Sequence, residues 1–249
     1  MNLPAVKIAH IDFHYPHQEN MLFSDLNLEI AKGERFGLFG PNGAGKTTLM
    51  NLMTGVLACP KGGITLFGDT INGKDKQVNS YFGYVPQDLS FYSELTPNEN
   101  LEFFGAWSGL NKKEIRKRTV ELLEILDLTA VKDRPADKLS GGMKRRMNLA
   151  IGVIHKPRIL FLDEPTVGVD VRTRYDIINY LKELNTNGTT LIYTSHQLNE
   201  AEGLCKKIAL LDEGKIIAYG DLDQLLTDHK QADLEGLFLK LTGKEILYS

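Results

Sequence analysis

A parallel α/β core with an antiparallel lobe at one side and a helical insertion is the architecture this sequence predicts. Three patterns predict it. Alternating, turn-punctuated segments fill the first ~70 residues, helical periodicity runs from Asn98 to about His155, and strands alternate with helices from Ile159 onward. The 249 residues are 42% hydrophobic and 24% charged, ordinary for a folded chain long enough to bury a sizeable core. A formal net charge of −3 gives no basic surface for a phosphodiester backbone, so no nucleic-acid partner is expected.

Taken in order, Val6 to Tyr15 alternates and stops at Pro16, and Phe23 to Ile30 alternates with Leu26, Leu28 and Ile30 on one face. Arg35 to Phe39 is a compact apolar strand running into a glycine-rich loop, after which Thr47 to Leu57 reads as a helix. Ile64 to Phe67 is a short strand between Gly62-Gly63 and Gly68-Asp69. In the helical stretch, Lys112 to Leu128 carries Ile115, Leu122, Leu123, Ile125 and Leu126 opposite a charged face. Its basic run, Lys112, Lys113, Arg116, Lys117 and Arg118, is read as solvated.

A second helix begins near Gly141 and ends before Pro157, because the residue preceding a proline avoids helical backbone. Ile159 to Leu162 is a buried strand, Val171 to Leu184 a helix and Thr190 to Tyr193 a strand. Ile208 to Tyr219 forms a hairpin around Glu213-Gly214. Cys59 and Cys205 stand far apart without a CxxC pairing, which fits core residues in a reducing cytosol better than a disulfide or zinc site. No leader-like apolar stretch opens the chain, and no run approaches the ~18 apolar residues of a spanning helix. Work at a membrane would need a partner there.

The chemistry lies in two places. Gly40-Pro41-Asn42-Gly43-Ala44-Gly45-Lys46-Thr47 matches G-x-x-x-x-G-K-[ST] between a strand and a helix, with Thr48 next. The glycines let backbone N–H groups turn inward around phosphates, and the helix N-terminus adds positive potential. Lys46 reaches the outer phosphates and the Thr47 hydroxyl suits Mg²⁺. Arg158 to Glu164 is an apolar strand ending in two acids: Asp163 is placed to hold the Mg²⁺ and Glu164 to polarise an attacking water.

Leu139-Ser140-Gly141-Gly142-Met143 closely resembles the LSGGQ signature of the ABC family, and it precedes the Asp163-Glu164 strand as in that family. Further elements follow the family's order. Tyr15 resembles the aromatic that stacks on adenine, a core tyrosine being the alternative. Gln87 in Tyr84-Val85-Pro86-Gln87 resembles the glutamine that reaches the metal and responds to the membrane partner. Val167-Gly168-Val169-Asp170 resembles the loop that crosses the dimer interface, and His196 the switch histidine on the γ-phosphate.

The resemblance spans nearly the whole chain. It implies a P-loop NTPase fold, RecA-like, with a parallel-sheet core, an N-terminal antiparallel β subdomain and a helical subdomain. The expected boundaries within one ATPase domain are 1–87 for the β lobe and phosphate-loop part, 88–156 for the helical subdomain, 157–220 for the rest of the core and 221–249 for a C-terminal helical segment.

The resemblance also implies that ATP is sandwiched between two subunits. Ser140, Gly141 and Gly142 of one close on nucleotide held by the other, while Lys46, Mg²⁺ and His196 stabilise the transferred group. One phosphate loop and one signature imply a homodimer or heterodimer beneath a separate integral membrane permease, with the chain cytoplasmic and peripheral on the membrane's inner face. Met143 departs from the usual glutamine and Lys144-Arg145-Arg146 follows. Together with 221–243 this resembles the exporter-type branch related to drug and polysaccharide exporters, a plain packing helix being the alternative for the C-terminal segment. The helical region and the segment after Gln87 (Asp88 to Glu99, with Phe91, Tyr92 and Leu95) fit either a docking groove for the permease or the core. The alternative functional class is a soluble ABC ATPase not tied to transport.

Overall fold

The computed structural model describes residues 3–16, 18, 20–59, 61–195, 198 and 203–243. Its elements in chain order begin with β1 (Val6–Phe13), β2 (Phe23–Ile30), β3 (Arg35–Phe39), α1 (Lys46–Met53), β4 (Lys61–Leu66), β5 (Asp69–Thr70) and α2 (Lys76–Asn79). There follow β6 (Phe82–Val85), α3 (Pro97–Trp107), α4 (Lys112–Ile125), α5 (Gly141–Val153), β7 (Ile159–Asp163) and α6 (Val171–Thr186). The chain closes with β8 (Thr190–Ser195), β9 (Lys207–Asp212), β10 (Lys215–Asp221), α7 (Leu222–His229) and α8 (Leu234–Thr242). Two units divide it, one of 1–79 with 190–249 and one of 80–189.

In the first unit an antiparallel sheet runs in the order β2-β1-β4-β5. Its first two strands pair Ile8 with Leu28 but Ile11 with Leu26, so β1 carries one extra residue; a second shift before Phe13↔Phe23 returns it on β2. His10 and Asp25 take the left-handed backbone of these bulges, with φ of 53° and 52°. The bulge explains why Val6 and Ile8 share a buried face with Ile11 and Phe13 despite the break in alternation. The strand ends at Phe13, leaving Tyr15 in the following loop.

The other strands of this unit lie in the order β10-β9-β3-β8, with β3 parallel to both β8 and β9 and β10 antiparallel to β9. Flanked on both edges, β3 buries Phe36, Leu38 and Phe39 completely. A methyl group on Gly37 would lie 3.0 Å from the Cys205 sulfur, so that buried thiol packs directly on the strand. Glu213 (φ 48°) and Gly214 (φ 75°) form the two-residue turn joining β9 to β10. The helix α1 stops at Met53 rather than continuing to Leu57, because Gly55 has left-handed backbone.

The second unit pairs β6 with β7 in parallel and carries α3 to α6. Thr96 with Glu99 and Asn111 with Glu114 form capping boxes that start α3 and α4. Termination of α4 at Ile125, short of the expected Leu128, follows from left-handed Asp127 (φ 52°). Of its basic run, Lys112, Lys113, Arg116 and Lys117 are exposed as expected. Arg118 instead donates to the Val153 and Ile154 carbonyls at the end of α5. That helix presses closely on β6: a methyl group on Gly83 would fall 1.9 Å from the Gly152 carbonyl oxygen, and one on Gly152 would fall 2.6 Å from Val85.

Candidate functional site

The phosphate loop grows out of β3 and ends in α1. Gly40, Gly43 and Gly45 all have positive φ (153°, 80° and 107°), a winding that turns the chain back on itself before the helix starts. A side chain on Gly40 would strike the Leu211 carbonyl at 2.0 Å, and one on Gly45 would touch the Phe23 ring at 3.0 Å, whereas Gly43 faces open space. Behind the loop, Gly214 of the β9–β10 turn donates to the Ala44 carbonyl (3.1 Å). The buried Lys46 ammonium donates to the carbonyls of Gly40 (2.8 Å) and Pro41 (3.0 Å). Pro41 is half-buried, Asn42 is exposed, and Thr47 is exposed at the first turn of α1.

Tyr15 lies edge-on to Phe13 (5.2 Å), and its hydroxyl shares a 2.8 Å hydrogen bond with that of buried Thr48. It is half-buried, so it keeps surface for a ligand that a core tyrosine would not.

In the second unit the carboxylate pair ends the fully buried β7, Asp163 being its last residue and Glu164 the next. Asp163 is 1% exposed and Glu164 6%. Glu164 has φ of 49°, a left-handed conformation that a side-chained residue adopts only under constraint, and such strain gathers at functional sites. Ser140 caps α5, its hydroxyl accepting from the Met143 N–H at 3.3 Å. The cap uses the backbone of residue 143, so replacing glutamine by methionine there leaves it intact. Gly141 faces open space, and Gly142 lies against Thr173, whose hydroxyl and N–H donate to Asp170 (2.7 and 3.0 Å). Those bonds hold the Asp170 carboxyl below the usual range and make it the cap of α6.

Gln87 is exposed just beyond β6. The residues that hold its backbone escaped the sequence reading. Asn148 donates to the Pro86 carbonyl (3.3 Å) and accepts from the Ser90 N–H (3.1 Å), and Arg145 Nη1 donates to the Gln87 carbonyl (2.7 Å). One signal was available: two polar residues three apart, beside Met147, Leu149 and Ala150 on the buried side of a helix. His196 lies outside the described residues.

The donor chemistry suits a magnesium nucleotide. Gly40 and Gly45 stand where side chains would collide, and Thr47, exposed at the first turn of α1, offers a hard oxygen donor. Residues 23–167 match the family model described as ABC transporter. The chain belongs to the ABC transporter family. Within the family it is 43% identical over 198 residues to the linearmycin resistance ATP-binding protein LnrL of Bacillus subtilis, a match covering 78% of the chain and 63% of that relative. A Nod factor export ATP-binding protein I from Ralstonia nicotianae is 38% identical over 216 residues, covering 87% of the chain and 67% of that protein. The chain thus spans about two thirds of the length of these curated relatives. The fold matches the dimeric, post-hydrolysis ATP-binding cassette MJ0796 bound to ADP and Pi, with a TM-score of 0.80 at 27% identity over 87% of this chain and 98% of that one. This agreement confirms the expected mixed α/β fold, with parallel core strands, an antiparallel β subdomain and helices.

Proposed function

We propose that this chain is the ATP-binding and hydrolysing subunit of an ABC transporter, powering export by a separate membrane permease through ATP-driven closure of a dimer. The observation that carries the reading is the phosphate loop, wound by three positive-φ glycines onto a helix start with Lys46 buried at its centre. Similarity to an export ATP-binding protein and to a dimeric cassette supports the direction of transport and the pairing.

In this reading the amides of residues 40–48 and the Lys46 ammonium bind the phosphates, while Tyr15 stacks on the base. Thr47, Asp163 and Gln87 are the residues that would hold magnesium, which would supply charge neutralisation on the phosphates. Glu164 orients the attacking water and takes its proton, and His196 contacts the γ-phosphate. Ser140, Gly141 and Gly142 close on the nucleotide of the second subunit, for which a helix start exposed at Ser140 and Gly141, with open space at Gly141, is the right shape. Asp170 acts in that interface through the helix it caps. The second subunit is a copy of this chain or a close relative.

Docking on the permease is assigned to the segment after Gln87. Tyr92 (46% exposed), Phe103 (40%) and Trp107 (82%) form a ladder of ring contacts in which Phe103 lies 4.8 Å from Tyr92 and 6.4 Å from Trp107. An exposed aromatic patch of this kind favours a partner over solvent. No helix among the described residues is long and apolar enough to cross a membrane, and attachment to the inner face of the membrane is assigned to the permease.

The test is purification of the tagged protein from detergent-solubilised native membranes, with Mg²⁺-dependent ATPase activity assayed on the product. A stoichiometric polytopic membrane protein and activity abolished by Lys46→Ala are expected. Active protein accompanied only by soluble chains would overturn the transport reading and leave the ATPase.

A further inference from the structure

The helix that begins with the signature serine also grips the glutamine loop and the loop after the carboxylate pair, and one residue makes both contacts. Arg145 is 9% exposed on α5. Its Nη1 donates to the Gln87 carbonyl at 2.7 Å and its Nη2 reaches the Val167 carbonyl at 3.5 Å. Asn148, one turn further on, holds Pro86 and Ser90 on either side of Gln87. Its neighbours in the basic run are used differently: Lys144 donates to the Asp137 carbonyl (3.0 Å), and Arg146 to the Leu126 carbonyl (3.0 Å) and the Asp127 carboxylate (3.2 Å). Only Arg145 of the three points into the unit's functional loops.

Keeping a guanidinium buried against two neutral carbonyls is unfavourable unless opposite charge lies close. Burial lowers the pKa of Arg145 from the ordinary arginine value, and the Asp88 and Glu164 carboxylates act on it in the other direction. A hydrophobic residue would fill this volume at less desolvation cost, so packing alone does not account for an arginine.

We propose that Arg145 is a positioning residue for hydrolysis: through the Gln87 and Val167 carbonyls it sets the glutamine loop and the loop leading to Asp170 in register with Glu164. The contacts are all within one unit. The planar fork presents its donors on two separate nitrogens held in a fixed relative geometry, Nη1 to Gln87 and Nη2 to Val167, a spacing that the single nitrogen of an ammonium does not reproduce. The signature helix thereby moves as one body with the loops that address the metal and the attacking water.

The proposal rests on Gln87 and Glu164 acting on bound nucleotide, so Glu164→Gln is measured beside it. Steady-state ATPase kinetics of the full chain are compared for wild type, Arg145→Ala and Arg145→Lys, with and without millimolar guanidinium chloride. For Arg145→Ala the expected result is kcat lower by about tenfold or more with KM for ATP changed less than about twofold. Guanidinium is expected to restore part of the kcat, and the lysine variant to fall between alanine and wild type. Wild-type kcat in both variants, or a loss of kcat matched by a rise in KM and unmoved by guanidinium, overturns the proposal while Glu164→Gln still abolishes turnover. Normal turnover in Glu164→Gln brings down the functional reading and this inference with it. If Arg145→Ala does not fold, Arg145→Lys decides by its kcat and KM alone: a selective fall in kcat supports the proposal and wild-type kinetics overturn it.

Discussion

Glu164 combines burial with a left-handed backbone directly after an apolar strand, a geometry that aims one carboxylate at a fixed spot. Under the proposed role of Glu164 as base for the attacking water, Glu164→Gln preserves size and hydrogen-bonding shape but cannot accept the proton. Turnover is expected to fall by about a hundredfold or more with nucleotide affinity retained, as read by single-turnover hydrolysis against fluorescent-nucleotide titration. Gly40→Ala acts differently, since its new methyl group meets a backbone carbonyl at 2.0 Å. It should destabilise the chain by about 2–3 kcal/mol and weaken ATP binding, visible in urea unfolding and nucleotide titration together. The candidate site shows in the sequence as local residue types, which are those the proposed phosphate chemistry requires: glycines, one lysine, one hydroxyl, two acids. The grip of Arg145 and Asn148 on residues 86–90 was not legible there, because contacts across 58 to 62 positions leave no local pattern.

Elements carry a second class of expectation. The approach of α5 to β6 depends on Gly83 and Gly152 facing each other, so Gly83→Ala should lower stability by about 2–3 kcal/mol without touching a nucleotide contact. Thr96→Ala removes a capping box from α3 and should cost about 1 kcal/mol, a Tm shift of about 2–4 °C by calorimetry. At the end of α5, His155 is held below the ordinary histidine pKa, first by burial and further by Arg118, against a hydrogen bond to the Phe82 carbonyl. The unfolded chain therefore takes up its proton first as pH falls. This contribution to stability is whole above about pH 6.5 and is lost as pH drops from there through the folded-state value. Urea midpoints measured at about pH 7.5 and 5.5 should draw together in His155→Gln relative to wild type.

Strand and helix identities were largely readable at this scale, and β2 and β3 run between the expected residues. Two helix ends moved at a left-handed residue, Asp127 after α4 and Gly55 after α1. A non-glycine residue with positive φ carries no marker in the sequence. The two-residue β5 was equally invisible, too short to show alternation.

For the whole molecule, the exposed rings of Tyr92, Phe103 and Trp107, read as the proposed docking surface, predict that Phe103→Ser combined with Trp107→Ser releases the proposed permease in co-purification while leaving basal ATPase unchanged. The two units were not legible in the sequence, since the first is assembled from 1–79 and 190–249 and no composition break marks where the chain leaves and returns.

Cys205 gives the first of these units a built-in clock. Its thiol lies against β3, and burial pushes its pKa to about 12, so almost none is thiolate at neutral pH and no reagent reaches it. Cys59 is partly accessible, donating its thiol hydrogen to the Lys61 carbonyl. A maleimide should therefore label the chain in two phases, a prompt one at Cys59 and a slow one at Cys205. The slow phase measures how often β3 and its neighbours come apart. Saturating nucleotide, bound to the loop that β3 leads into, should lengthen that interval, and the lengthening counts openings that the ligand has prevented.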